Sequence, residues 1–123
     1  MNGYKIMVID DENVVGKMIK SSFGQDGYIV EAFLDAKPAL ERLKEEKFDV
    51  IITDLKMKDI DGMEVLNRVK KEAPDIKVIM ITAFASLDAA VEAFRKRVDD
   101  FFAKPVKIAE LKACVKRLLE EKN

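Results

Sequence analysis

The stretch Lys5-Ile6-Met7-Val8-Ile9-Asp10-Asp11 (KIMVIDD) decides how the rest of the chain is read. Four apolar residues follow one another without polar alternation. Continuous apolarity marks a strand covered on both faces, as in a parallel sheet packed between helices. The run then stops on Asp10 and Asp11, with Glu12 next. Adjacent carboxylates repel, and each loses hydration near a core. A buried strand that delivers acids to its carboxyl end needs a reason for doing so.

The same grammar recurs four more times. Ile29–Phe33 (IVEAF), residues 48–53 (FDVIIT), Lys77–Thr82 (KVIMIT) and Asp100–Ala103 (DFFA) read as strands. Between them lie helical patterns. Val14, Met18, Ile19 and Phe23 recur at helical spacing after the first strand. Asp35 stands as an N-cap before Pro38, Ala39, Leu40 and Leu43. Gly62–Glu72 carries Met63, Val65, Leu66 and Val69 and is stopped by Pro74. Residues 87–96 place Ala90, Val91 and Phe94 on one side. Ile108, Leu111, Val115, Leu118 and Leu119 mark a last amphipathic helix, and residues 120–123 read as a frayed end. Strand and helix alternate five times, so the expected fold is α/β, a doubly wound (βα)5 three-layer sandwich with a parallel five-stranded sheet.

Composition narrows the function. A chain of 123 residues with nearly half of them apolar is expected to form one domain, residues 1–123. The formal net charge of −1 gives no global electrostatic case for nucleic acid or membrane binding. Cys114 is the only cysteine, so no internal disulfide forms and a cytoplasmic setting is expected. The absence of histidine removes imidazole catalysis and imidazole metal ligands. No apolar run has the length of a membrane span, and the first residues do not read as a signal peptide.

In open α/β sheets ligands bind beyond the carboxyl ends of the strands. The residues there are Asp10-Asp11 after the first strand, Asp54 after the third, Thr82-Ala83 after the fourth and Lys104-Pro105 after the fifth. If the first and third strands are neighbours, three carboxylates converge beside a hydroxyl and an ammonium. A nucleotide or flavin site after the first strand would use a glycine-rich loop, and carboxylates repel phosphate. Clustered oxygen ligands instead suit Mg²⁺. A bound Mg²⁺ reverses the sign of the pocket and lets a phosphoryl group approach a carboxylate nucleophile.

With these residues in order, the chain resembles the receiver domains of bacterial two-component response regulators. The resemblance runs from KIMVIDDE through DVIITDLKM and DG to VIMITA and DFFAKP. It implies a flavodoxin-like fold with strand order 2-1-3-4-5. It implies Asp54 as phosphoacceptor, with Mg²⁺ held by Asp10, Asp11, Asp54 and the backbone carbonyl of Lys56. Thr82 and Lys104 are implied to reach for the phosphoryl group, with Thr82 and Phe101 as switch residues and a cis bond between Lys104 and Pro105. The implied partners are a sensor histidine kinase or phosphotransfer protein and an output domain or effector. Segments DLKM and ITAFASLDAAVEAF look most like nitrogen-regulation or C4-dicarboxylate receivers, which usually precede a transcription-activating ATPase domain. The resemblance also allows a phosphorylation-dependent dimer. It implies neither direct nucleic acid binding nor membrane association.

Three departures stand out. Lys58 occupies a frequent Pro position, Arg97-Val98 replaces a common Gly-Ala, and Phe101 replaces a frequent Tyr. A residue with a Cβ at the left-handed glycine position costs roughly 1 kcal/mol, so the fourth helix is expected to end differently or to be loosely held. Plainer roles compete at several positions. Asp11 suits an N-cap, Glu12 suits the first helical turn rather than a metal, and Asp59 and Asp61 suit turns. One of Phe101 and Phe102 is expected in the core and the other partly exposed. Cys114 reads as structural, and the methionines as core filler. The competing function is a phosphorylation-independent interaction module on the same fold.

Overall fold

The computed structural model describes residues 2–122. Its elements are β1 (Lys5–Ile9), α1 (Asn13–Gly24), β2 (Ile29–Phe33), α2 (Ala36–Glu45), β3 (Val50–Asp54), α3 (Gly62–Glu72), β4 (Lys77–Thr82), α4 (Leu87–Arg95), β5 (Asp100–Ala103) and α5 (Ile108–Lys122). All strand pairs are parallel, in the order β2-β1-β3-β4-β5. The fold is the expected doubly wound α/β sandwich.

Side chains alternate across each strand and feed two cores. Ile6, Val8, Val50, Ile52, Ile79 and Ile81 pack under α1 and α5. Met7, Ile9, Ile51, Val78 and Met80 pack under α2, α3 and α4. This two-sided burial is why the strands read as continuous apolar runs.

The helical seams differ in detail from the sequence reading. On α1 the buried residues are Val15, Gly16, Ile19 and Phe23, while Val14 and Met18 face solvent. The deciding contact is Gly16, where a Cβ would stand 2.9 Å from Ala32 Cβ on β2. On α4 Ala90, Val91 and Phe94 do share one side, but it is not the buried side. Ala93 is buried and Ala89 partly so, whereas Val91 and Phe94 are exposed. Small residues let α4 lie close to the sheet, and its bulky residues point away. Phe101 and Phe102 face opposite cores as strand neighbours should, but both are half-buried, so neither takes the fully buried role expected. The frayed end is also corrected, since α5 continues through Lys122; Asn123 lies outside the described residues.

The end of α4 keeps the left-handed geometry despite its side chain. Arg97 has φ 72°. Its N–H donates to Phe94 O at 3.0 Å, and the Val98 N–H donates to Ala93 O at 3.0 Å. Those two bonds form a Schellman motif, completed by burial of Val98 and Ala93 in one cluster. The apolar contact holds the turn that glycine would adopt at less cost. The start of β5 is fixed by Asp99, whose Oδ2 accepts from Lys70 Nζ at 2.7 Å and from the Val78 N–H at 2.8 Å.

Candidate phosphoacceptor and metal pocket

Strand register assembles the pocket. The β1–β3 ladder runs to the pair Ile9 and Thr53, so Asp10 and Asp54 come next, side by side. The β4–β5 ladder runs to Thr82 and Ala103, and Lys104 follows, its N–H donating to Thr82 O at 2.9 Å. Asp54 points to the α1/α5 side of the sheet by strand alternation, as do its face neighbours Ile52 and Val50.

The Lys104 ammonium sits among three carboxylates, 2.7 Å from Glu12 Oε1, 2.8 Å from Asp10 Oδ2 and 3.2 Å from Asp54 Oδ2. Burial disfavours the charged ammonium, but hydrogen bonds to Asp10 and Glu12 outweigh it and hold the lysine above its usual range. Asp10 is raised above the ordinary carboxyl range. Burial is the main cause and the neighbouring Asp54 charge adds to it, against the opposing effects of Lys104 and the Glu12 N–H. Asp10 Oδ1 accepts that N–H at 2.9 Å. Asp10 Oδ2 is fully buried and, beyond its ion pair, receives no hydrogen bond of sound geometry. Asp54 is buried, and its Oδ1 accepts the Leu55 N–H at 2.7 Å.

Carboxylate oxygens of Asp10, Glu12 and Asp54 lie within 4.8 Å of one another. An all-oxygen set of this kind, with one buried oxygen met by the Lys104 ammonium alone, fits a hard divalent cation. Glu12 belongs to this group although the sequence favoured a plain helical role. It occupies the N-cap position of α1 without a capping side-chain bond, which leaves its side chain free to reach Lys104. Asp11 is exposed and lies outside the group, and it is not the N-cap. Lys56 is likewise exposed. Thr82 is buried, and its hydroxyl accepts the Phe84 N–H at 3.0 Å. The Lys104–Pro105 peptide bond is cis.

The loop between β3 and α3 is held tightly. The Gly62 N–H donates to Leu55 O at 2.7 Å, closing the loop at its neck. A Cβ at Gly62 would collide with the Asp54 carbonyl oxygen, so only glycine fits against the strand end. Asp61 and Asp59 do more than form turns. Asp61 caps α3 by accepting the Glu64 N–H at 2.9 Å. Asp59 accepts N–H groups from the start of α2, where Asp35 makes no side-chain cap bond.

The model of the response regulator receiver domain matches residues 6–116. The chain belongs to the response regulator receiver domain family. The DNA-binding transcriptional regulator NtrC of Proteus hauseri is 32% identical over 114 residues, covering 93% of this chain and 24% of that protein. Sporulation initiation phosphotransferase F of Bacillus subtilis is 31% identical over 123 residues, covering 100% of this chain and 99% of that protein. Among solved structures, the beryllofluoride-activated NtrC4 receiver domain dimer matches with a TM-score of 0.91 and 30% identity, covering 97% of this chain and 98% of that one. The chain spans about a quarter to a half of the length of the first curated relatives it matches. Among the described residues, no helix is long and apolar enough to cross a membrane.

Proposed function

We propose that this receiver accepts a phosphoryl group on Asp54 from a sensor histidine kinase or phosphotransfer protein, and that phosphorylation changes the face formed by α4, β5 and α5. The carrying observation is the Lys104 ammonium held between Asp10, Glu12 and Asp54 at the strand ends. Three converging acids around one lysine have little purpose as structure, because well-packed apolar residues in place of a whole buried ion-pair cluster often serve a fold as well or better.

Asp10 and Asp54, with the Lys56 carbonyl on the loop, are the proposed Mg²⁺ ligands; Glu12 adds negative charge beside them, and Asp11, exposed and outside the carboxylate group, would join them only by turning inward. Mg²⁺ there would neutralise the acids and orient the phosphoryl oxygens. The Asp54 carboxylate oxygen attacks phosphorus, and the bond to the donor breaks with its electron pair leaving on the donor. Lys104, no longer needed to balance the acids, pairs with a phosphoryl oxygen. The Thr82 hydroxyl moves away from the Phe84 N–H it accepts and donates to a phosphoryl oxygen, which pulls the segment after β4 and leaves room for Phe101 to turn inward. Water later releases phosphate from Asp54.

The output face is supported by an apolar stripe. Phe84, Leu87 and Phe94 are 63%, 79% and 52% exposed, and Val91 lies between them. The spacing presents one continuous ridge along α4 and the segment before it. A ridge so placed suits an output domain, such as a transcription-activating ATPase domain, an effector protein, or a second activated copy. The dimeric NtrC4 receiver lends weight to the last. The setting proposed is the cytoplasm, without direct nucleic acid binding by this domain.

Acetyl phosphate with Mg²⁺ tests the assignment. The parent is expected to gain one hydroxylamine-sensitive phosphoryl group by mass spectrometry, and Asp54→Asn or a chelator is expected to prevent it. Equal labelling of Asp54→Asn would remove Asp54 from the role.

A further inference from the structure

Helix α2 begins with an unusual shortage. The first residues of a helix have backbone N–H groups without intrahelical acceptors, and an N-cap side chain normally takes one from the second or third helical residue. Here the third helical residue is Pro38, which has no N–H. Asp35, the N-cap, makes no side-chain bond. The two donors that remain are taken from outside the helix. The Ala36 N–H donates to Asp59 Oδ1 at 3.2 Å, and the Lys37 N–H donates to Asp59 Oδ2 at 2.8 Å. Both carboxylate oxygens are engaged, and the Ile60 N–H also donates to Oδ1 at 2.7 Å. The cap of α2 therefore comes from the tip of the β3–α3 loop.

The same corner is tied to the pocket a second way. The Asp10 N–H donates to Phe33 O at 3.0 Å, just before α2 begins. A path of hydrogen bonds and chain thus runs from Asp10 through the β2–α2 corner to α2, across the Asp59 carboxylate to the loop tip, and back along the loop to Asp54. The loop neck is fixed independently by Gly62 and Leu55. Lys56 lies between the fixed neck and the tethered tip, on a segment whose side chains are exposed at Lys56 and Lys58. Met57 and Ile60 pack partly buried against the core under α2 and α3, and the Asp59 carboxylate adds the direct tie from this segment to the start of α2.

We infer that Asp59 is a positioning residue for the cation side of the pocket: by capping α2 it fixes the Lys56 segment relative to Asp10. This rests on the receiver reading given above. Asp59 touches neither the phosphoryl group nor the cation. Its effect is to remove loop freedom that cation binding would otherwise have to remove. It also couples α2 to the site, so that cation binding and α2 capping reinforce each other.

Mg²⁺ titration by calorimetry, paired with thermal melting, separates this role from plain stabilisation. Asp59→Ala is expected to weaken Mg²⁺ binding by roughly tenfold, as supporting residues around metals do, and to lower the melting temperature. Asp59→Asn, which can accept through one oxygen only, is expected to show a smaller loss of both. In the double variant Asp59→Ala, Pro38→Glu, the third helical residue regains its N–H. Asp35 and the new glutamate then form a local capping box. The melting temperature is expected to recover while Mg²⁺ binding stays weak. Unchanged Mg²⁺ affinity in both single variants, or recovery of affinity together with stability in the double variant, would overturn the tether. If Asp59→Ala does not fold, Asp59→Asn and the double variant carry the same comparison. A parent that does not respond to Mg²⁺ overturns the receiver reading and the tether together, whereas a responsive parent matched by its variants overturns the tether alone.

Discussion

Asp10 shows how one residue trades stability for chemistry. It is buried, with its pKa raised above the ordinary carboxyl range mainly by that burial. The unfolded chain ionises near pH 4, the folded protein only at higher pH. Stability linked to Asp10 is therefore fully present below the unfolded pKa and is lost as pH rises through the folded one. Asp10→Asn escapes that loss. In metal-free buffer at pH 7 it is expected to raise stability by about 1 kcal/mol, or about 3–6 °C in Tm for a domain of this size. The difference should fade toward pH 4, and Mg²⁺ should stabilise the parent but not the variant. Melting curves across pH, with and without Mg²⁺, check this. At this scale the sequence showed which acids reach the strand ends but not which of them meet. Glu12 joins the pocket and Asp11 does not, because the turn from β1 into α1 sets side-chain directions that a list of residues does not contain. Lys104 was easier to read, since a lysine beside converging acids has one electrostatic direction to point.

At the level of elements, boundaries were legible and faces less so. Apolar runs, the start at Gly62 and the stop at Pro74 placed the strands and helices closely. The seams of α1 and α4 were misread for separate reasons. In α1, Val14-Val15 and Met18-Ile19 are adjacent apolar pairs, so helical periodicity fits two phases, and only the close approach of Gly16 to Ala32 selects one. In α4, bulk suggested burial, but the sheet accepts the alanines and leaves the large residues exposed. The distant cap from Asp59 was invisible because its donors lie 22 and 23 residues away. The end of α4 gives a direct test of backbone cost. Arg97 holds φ 72°, a region where glycine is unstrained. Arg97→Gly is expected to stabilise the domain by up to about 1 kcal/mol, reduced somewhat by the freer unfolded chain. A urea titration should show a higher midpoint with an unchanged slope.

The whole molecule explains why the site stands where it does. Five parallel strands bring their carboxyl ends to one edge, and the order β2-β1-β3-β4-β5 sets β1 beside β3 at the point where the winding reverses. Asp10 and Asp54 become neighbours there, with Lys104 arriving from β5 at the far side. Continuous apolar strands revealed the two-sided sheet, and the order followed from the family resemblance rather than from periodicity. The apolar ridge on α4 lies next to the strand that supplies Thr82, so an event at Asp54 has a short route to an exposed surface. The most direct test is an amide NMR titration with beryllofluoride, which mimics a phosphoryl group on a carboxylate. With Mg²⁺ present, signals from Asp54, Thr82 and Lys104 should shift together with those of α4 and β5, and omission of Mg²⁺ or Asp54→Asn should abolish every shift. Shifts that persist in Asp54→Asn or without Mg²⁺, or a silent α4 when the pocket is filled, would contradict the account.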